Sequence, residues 1–449
     1  MRPIKPITIL RRYLFPTLLL GVLMIYVWIG HNKVPFHGDE ADHLYKSHDF
    51  MVAIVQGHPE KLNVTPPVQI DSPEHIRLLT GTTTALFTGY TLWSAGYTSA
   101  EWPAPWYYAQ DVTWNIENGR LPRQDILNRG RVSTTILAML SIPLTFWIVW
   151  AVFPLENQYR FWAAFSAAFL IATHPAWLLN SRRVMQEAAL GTFSLAIVLW
   201  AILYVRQPKW WKLGLLVLSS GLCLATKATG IVTILSVWAA LGLMALHHGI
   251  DWRQLLSLTT GGLLVITIYL LMTPAIWGSP LSRLKLAAEL RADVLQGQSK
   301  ASPDSYDMFA DRWLALIKQP FLSDLQYFES PAFESYLDDQ IVTYENAHLD
   351  GWQMPTIIGL LASVFTVIGI GTLLQKWTIN ESMPFIFWII GVVLTTGITI
   401  PLAWQRYYLL WSLAACLLAG IGFGKLLSFI DNIAPRRADI LFRGTFTRI

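Results

Sequence analysis

The stretch YLFPTLLLGVLMIYVWI at residues 13–29, followed shortly by HGDEADH at residues 37–43, sets the terms for the whole chain. The first segment is an apolar run of the length that hydrocarbon demands, about 20 residues for a spanning helix. Arg2, Lys5, Arg11 and Arg12 precede it and no small-residue cleavage pattern follows, so the sequence predicts a retained first span. The second segment places three carboxylates, Asp39, Glu40 and Asp42, where that span leaves the membrane.

Working outward, further apolar runs lie near 132–153, 161–179, 187–205, 355–375, 383–402 and 407–427. The block 213–275 holds three more, separated at Lys227–Gly230 and at His247–Arg253. The expected fold is an all-α integral membrane protein of about ten transmembrane helices, between nine and twelve, forming one domain over residues 1–449. With 53% hydrophobic and only 14% charged residues, a soluble globule is excluded. Trp28, Trp150, Trp277 and Trp404 mark the ends of apolar runs, as interfacial aromatic belts do. The basic residues sit in short loops and form no stripe, which argues against a nucleic-acid partner and leaves membrane lipids as the surroundings. Cys223 and Cys416 fall inside apolar runs far apart, so neither a disulfide nor a thiolate metal site is indicated.

Orientation follows from lysine and arginine in the loops. With ten spans, the N-terminal segment, Arg206/Lys209/Lys212, Arg253, Lys376 and the tail with Lys425, Arg436, Arg437, Arg443 and Arg448 share one side. That side is the cytoplasm, with both termini, and two long loops, about 31–131 and about 276–354, lie outside the cell membrane. Residues 78–97 are apolar enough to pass as another span; their Thr- and Gly-rich middle places them instead as a helix of outer loop one. Ala41, Leu44, Tyr45, Met51, Val52 and Val55 recur at helical spacing and predict an amphipathic helix along the membrane surface. Outer loop two, with Tyr306 to Asp311, Tyr327 to Glu329 and Tyr336 to Asp339, reads as a small ordered cap.

The carboxylates after the first span are either a solvated turn capping a surface helix or the acidic part of an active site. Adjacent helical residues face different ways, so Asp39 and Glu40 are not an equivalent pair. Arg182, Arg183 and Glu187, just past the third span, either anchor a helix at the interface or serve a cavity. Lys227 at a hairpin tip and Arg406 in Trp404-Gln405-Arg406-Tyr407-Tyr408 are each readable alone as snorkelling side chains. Together Asp39, Glu40, Arg131, Arg182, Arg183, Glu187, Lys227 and Arg406 collect on one outer face. Carboxylates and fixed cations there suit displacement at a sugar carbon: a carboxylate takes the acceptor hydroxyl's proton while cations stabilise charge on a departing lipid phosphate. Phosphate needs no protonated acid to leave, unlike the leaving groups that glycosidases serve with paired carboxyls.

The order of these features resembles the GT-C superfamily of polyprenyl-phosphate-sugar-dependent glycosyltransferases, in its protein O-mannosyltransferase and lipid A aminoarabinose transferase branch. The likeness rests on the basic N-terminus, one span, Asp39-Glu40, Arg131-Val132-Ser133, the stretch Pro175 to Glu187, Gly221 to Lys227 and Arg406-Tyr407, and covers residues 10 to 425. It implies transfer of mannose or a similar sugar from a polyprenyl-phosphate carrier to an acceptor protein, lipid or glycan on the extracytoplasmic face, with inversion. By position it makes Asp39 the general base and gives Glu40 and Glu187 supporting acidic roles. It also turns Arg131, Arg182, Lys227 and Arg406 toward the carrier phosphate. The chain departs from the family where His-Pro-Pro is often found, reading Asp71-Ser72-Pro73-Glu74-His75. Its second outer loop is too short for the extra β-domain of eukaryotic protein mannosyltransferases. A divalent cation held by Asp39, Glu40 and His37 or His43 is an open alternative. Two other classes remain: a transporter or flippase, for which internal repeats and midplane ionisable groups would be the sign, and a non-catalytic envelope scaffold.

Overall fold

The structure, a computed structural model, describes residues 6–70, 72–153, 157–247, 249, 252–329, 333, 336–352, 357–375 and 381–433. Arg2, Lys5, Asp71, Lys376 and the basic tail from Arg436 onward, named above, lie outside the described residues.

The helices run α1 (Pro6–Ile29), α2 (Gly38–Ser47), α3 (Pro73–Leu79), α4 (Thr82–Ser94), α5 (Val112–Glu117), α6 (Gln124–Val152) and α7 (Asn157–Thr173). They continue through α8 (Pro175–Arg182), α9 (Glu187–Arg206), α10 (Trp210–Thr226), α11 (Gly230–His247) and α12 (Trp252–Met272). The last are α13 (Pro280–Ala301), α14 (Phe309–Lys318), α15 (Asp338–Asn346), α16 (Ile357–Gln375), α17 (Met383–Thr399) and α18 (Leu409–Ile433). Among the described residues there is no strand, only an isolated antiparallel bridge between Ser305 and Leu402. An all-helical answer is what hydrocarbon requires, because a helix satisfies its backbone hydrogen bonds internally.

Among the described residues six helices are long and apolar enough to cross a membrane, or seven if α7 and α8 form one bent span. Three further apolar helices, Leu14–Ile29, Trp210–Thr226 and Met383–Thr399, are shorter than that. The chain is thus an all-helical membrane protein. The run 161–179, expected to be one straight span, is broken by 58° between α7 and α8. The cause is local: Pro175 holds the first position of α8, and His174 before it takes an extended backbone (ψ 117°) and accepts the Trp177 N–H on its side chain. A residue preceding proline is pushed out of the helical region, so the helix stops and restarts.

The centre of the bundle is built by α6, α7, α9 and α18, lined with small residues such as Ala163, Ala167, Ala414 and Ala415. Small residues let membrane helices approach closely where no hydrophobic drive from water assists them. At Gly422 of α18 a Cβ would lie 1.9 Å from the Phe365 carbonyl oxygen of α16, so these helices meet backbone to backbone.

The first outer segment differs from expectation. α2 ends at Ser47 and a π-turn covers Met51–Val55, so no single amphipathic helix reaches Val55. α2 is enclosed, with Glu40, Ala41, His43, Leu44, Lys46 and Ser47 all buried. Enclosure is possible because α4 comes close: a Cβ on Gly89 would sit 2.3 Å from the Ser47 carbonyl oxygen. α4 has 13 residues, about 20 Å at 1.5 Å per residue, too short for a hydrocarbon core of about 30 Å. The second segment carries α13, 22 residues long with none buried, followed by α14 and α15.

Candidate active site

Asp39 stands in the first turn of α2, and three segments converge on it. His37 caps α2: its Nδ1 accepts the Asp39 backbone N–H at 3.1 Å. An Nδ1 that accepts carries no proton, so Nε2 bears it and donates to Glu329 Oε2 at 2.8 Å. The His37 ring also stacks on Phe328, with centroids 4.6 Å apart. The second segment brings Tyr108, whose hydroxyl donates to Asp39 Oδ1. The third brings Arg406, just ahead of α18, whose Nη1 donates to Asp39 Oδ2. The Arg406 Nε lies 2.8 Å from Glu329 Oε1, an ion pair without the alignment of a hydrogen bond.

Burial alone would raise the Asp39 carboxyl, but the Arg406 guanidinium, followed by the hydrogen bond from the Tyr108 hydroxyl, holds it well below the usual carboxylate range. Glu329 experiences the same contest: burial opposes ionisation, and Arg406 followed by His37 brings its carboxyl down to about 2. Its folded value is below its unfolded one of about 4.3. The stability it contributes is therefore fully present above that pH and lost as the pH falls toward 2. We expect the melting temperature of the wild type to exceed that of Glu329→Gln at pH 7, with the gap closing steadily below about pH 4.3. A gap that stays constant with pH would sink this account.

A second carboxylate–cation pair lies beside the first. Lys227, following α10, places Nζ 2.9 Å from Glu187 Oε1 at the start of α9. The Tyr407 ring joins the two pairs: the Lys227 ammonium lies 5.8 Å and the Arg406 guanidinium 5.6 Å from its centroid. His43 of α2 faces both, feeling the charges of Asp39, Glu187 and Lys227, while burial pushes its imidazole down to about 4 and leaves it neutral. His43 Nδ1 and Glu187 Oε2 are both buried without a hydrogen-bond partner among the described residues.

The other nominated residues are placed differently. Glu40 is fully buried, and Arg131 grips it bidentately, Nε to Oε1 at 2.8 Å and Nη2 to Oε2 at 2.7 Å. Val184 N–H donates to Oε1 at 2.8 Å and His37 N–H to Oε2 at 3.1 Å, which occupies the carboxylate. Arg131 sits two turns inside α6, at the start of that helix's apolar stretch. Arg182 donates to the Tyr26, Val27 and Leu349 carbonyls and to the Tyr344 hydroxyl. Arg183 donates to the Pro35 and Tyr327 carbonyls. The structure thus brings together Asp39, Arg406, Glu187 and Lys227, while Glu40, Arg131, Arg182 and Arg183 bind the protein's own groups. Among the described residues no three histidine, cysteine or carboxylate side chains are arranged to hold a metal.

Glu329 and Tyr108 were not nominated from the sequence. Glu329 lay in the Tyr327–Glu329 stretch that marked the cap, and nothing in its spacing ties it to Arg406. Tyr108 belongs to Trp106-Tyr107-Tyr108, whose only visible property is aromatic.

No protein-family model matches the chain, and no curated protein matches it in sequence. Solved structures do match in fold. ArnT from Cupriavidus metallidurans, bound to undecaprenyl phosphate, aligns with a TM-score of 0.50 at 12% identity, covering 93% of this chain and 63% of that one. The Archaeoglobus fulgidus oligosaccharyltransferase in the apo form aligns at 0.49 and 11% identity, covering 93% of this chain and 51% of that one. AglB from the same organism, in complex with an inhibitory peptide and a dolichol-phosphate, aligns at 0.47 and 11% identity, covering 95% and 53%. The chain therefore spans between about half and three fifths of the length of these structures. The class that the helices define is a multi-pass membrane protein. Within that class the match to ArnT shows that the chain shares the fold of that structure.

Proposed function

We propose that the protein is a membrane glycosyltransferase that moves a sugar, mannose or similar, from a polyprenyl-phosphate carrier to a hydroxyl acceptor. The observation that carries this reading is the pairing of Asp39 with Arg406 beside the pairing of Glu187 with Lys227, two carboxylate–cation pairs at one end of the bundle. Asp39 is the base: it takes the proton of the acceptor hydroxyl as the hydroxyl oxygen bonds the anomeric carbon from the face opposite the phosphate. The bond from that carbon to the carrier oxygen breaks with its electron pair on the phosphate, and configuration inverts. Arg406 and Lys227 stabilise the departing phosphate. Arg406 is held by Asp39 and Glu329; an arriving phosphate competes for it, and every hydrogen bond that leaves Asp39 makes that carboxylate more basic. Glu187 orients the acceptor through its unpartnered oxygen. Arg131, Arg182 and Arg183 act as fasteners of the scaffold.

Sidedness follows from α9. It carries Glu187 at one end and Arg206 at the other, 20 residues or about 30 Å apart, next to Lys209 and Lys212. The positive-inside rule puts the basic end in the cytoplasm, so the paired carboxylates face the extracytoplasmic side. The loops about 31–131 and 276–354 then form the outer part of a single membrane domain.

The test uses the purified protein in nanodiscs with polyprenyl-phosphate-mannose or a polyprenyl-phosphate pentose carrying labelled sugar. Release of polyprenyl phosphate together with labelled acceptor is the expected result. The bend between α7 and α8 is the feature a transporter would share. Movement of intact lipid-linked sugar across vesicles, with no carrier consumed, would replace the transferase reading by that one.

A further inference from the structure

A cavity of about 240 Å³ lies between the cap and the bundle, walled by His174, Asp324, Tyr327, Glu345, Asp350 and Gln405 among others. At about 30 Å³ per water molecule it has the volume of about eight waters, room for a monosaccharide-sized group. Three carboxylates line it, and among the described residues no lysine or arginine does. His174 adds no positive charge: its Nδ1 accepts the Trp177 N–H, and Nε2 lies 2.6 Å from the Pro320 carbonyl.

Asp350 is 6% exposed, and among the described residues the one hydrogen bond that holds its carboxylate comes from its own backbone N–H. Such a group is costly to bury without a partner. Burial, followed by the charge of Glu345, pushes its carboxyl above the usual range, against the opposing pull of its own backbone N–H, His348 and Arg182. The turn that presents it is held in place on purpose-built contacts. Arg182 donates to the Leu349 carbonyl and to the Tyr344 hydroxyl, and Trp352 N–H bonds the Thr173 carbonyl at 3.0 Å. His348 takes a left-handed backbone with φ of 53°, a conformation that non-glycine residues hold at a cost. Glu345 accepts the Tyr327 hydroxyl at 3.0 Å, which fixes a second carboxylate on the wall. Among the described residues the carboxylates do not converge as metal ligands do.

We propose that this cavity binds a primary ammonium group, and that it is the subsite for an amine-bearing acceptor. The second half rests on the transferase reading. Two reciprocal hydrogen bonds between Gln326 and Gln405, 2.9 and 3.1 Å, clamp the segments that carry Glu329 and Arg406. Gln405 and Tyr327 wall the cavity on one side, while Arg406 and Glu329, their chain neighbours, meet Asp39. The cavity and the proposed base are thereby served by the same two segments.

The experiment measures binding of glucosamine, ethanolamine, glucose and glycerol to the purified full-length protein in detergent, by calorimetry. A charged hydrogen bond is worth about 1.5–3 kcal/mol, so glucosamine is expected to bind at least about tenfold more tightly than glucose. Ethanolamine outbinding glycerol by the same factor while matching glucosamine would assign recognition to the ammonium alone; a large advantage for glucosamine adds the sugar ring. Asp350→Asn is expected to weaken glucosamine binding about tenfold, and Asp324→Asn, at an exposed position, supplies a second variant whose folding is not at risk. Equal binding of charged and neutral probes, or no loss in either variant, overturns the proposal. Carrier consumption is assayed separately with hydroxyl acceptors that bear an amine and others that do not: amine binding with no carrier consumption would uphold the cavity and remove its role as an acceptor subsite.

Discussion

Asp39→Asn is expected to lower the initial rate of sugar transfer by about 10²–10⁴-fold, the range typical of a lost general base, while the protein accumulates in membranes as the wild type does. The two halves of this expectation have separate causes. Asparagine cannot take the acceptor's proton, so the step loses its base. Its amide oxygen can still accept from Arg406 while its NH2 group donates to the Tyr108 hydroxyl, which can turn to accept, and Arg406 keeps Glu329 as a counter-ion, so no buried charge is stranded. The Asp39 side chain is also 27% exposed, which keeps any cost in packing small. The pH profile supplies a second check. Because Arg406 holds its carboxyl well below the usual range, Asp39 stays ionised at every pH above its ordinary value of about 3.9. The kcat/KM of the wild type should therefore show no acid limb from Asp39 above about pH 4. A variant that transfers sugar within threefold of the wild type would remove Asp39 from the mechanism and leave the reaction class to be argued from other residues.

What was legible in the sequence divides along a physical line. Hydrocarbon permits few solutions, so runs such as 187–205 and the three within 213–275 come back as α9, α10, α11 and α12. Asp39 and Arg406 are 367 positions apart, yet both could be placed at one face because each lies next to the end of an apolar run. The destination of a side chain is another matter. Arg182 and Arg406 look alike in sequence, each a cation beside a span. Arg182 spends its donors on the Tyr26, Val27 and Leu349 carbonyls, Arg406 on the carboxylate it was nominated with. No periodicity records that difference, since a loose backbone carbonyl and a ligand phosphate attract a guanidinium by the same means. Glu329 and Tyr108 were hidden for a related reason: they reach the site from irregular segments, where position in the chain says little about position in space. The break at His174–Pro175 was written in the sequence, because proline restricts the residue before it, but the apolar run continues across it and hydropathy alone does not see a bend.

Glu40→Ala is expected to destabilise the protein by about 3–5 kcal/mol, the cost of breaking a buried ion pair by removing one partner, although the residue is the immediate neighbour of Asp39. Glu40 is fully buried and accepts four hydrogen bonds, two from Arg131 of α6, one from Val184 between α8 and α9, and one from His37 at the head of α2. Its removal leaves the Arg131 guanidinium, 1% exposed, without a counter-ion, and frees three elements that meet under the site. Transfer would fall as well, but as a consequence of α2 losing the position that aims Asp39. The measurement that separates the two is thermal unfolding in detergent across a double-mutant cycle of Glu40→Leu, Arg131→Met and their combination. A buried pair replaced by apolar side chains of similar volume is often neutral or stabilising, so the double variant should regain most of the melting temperature that each single variant loses. Activity should return in step with it if Glu40 and Arg131 serve only as a fastener. A double variant that melts like the wild type yet transfers no sugar would place the pair in the chemistry, beside Asp39, as the sequence alone had suggested.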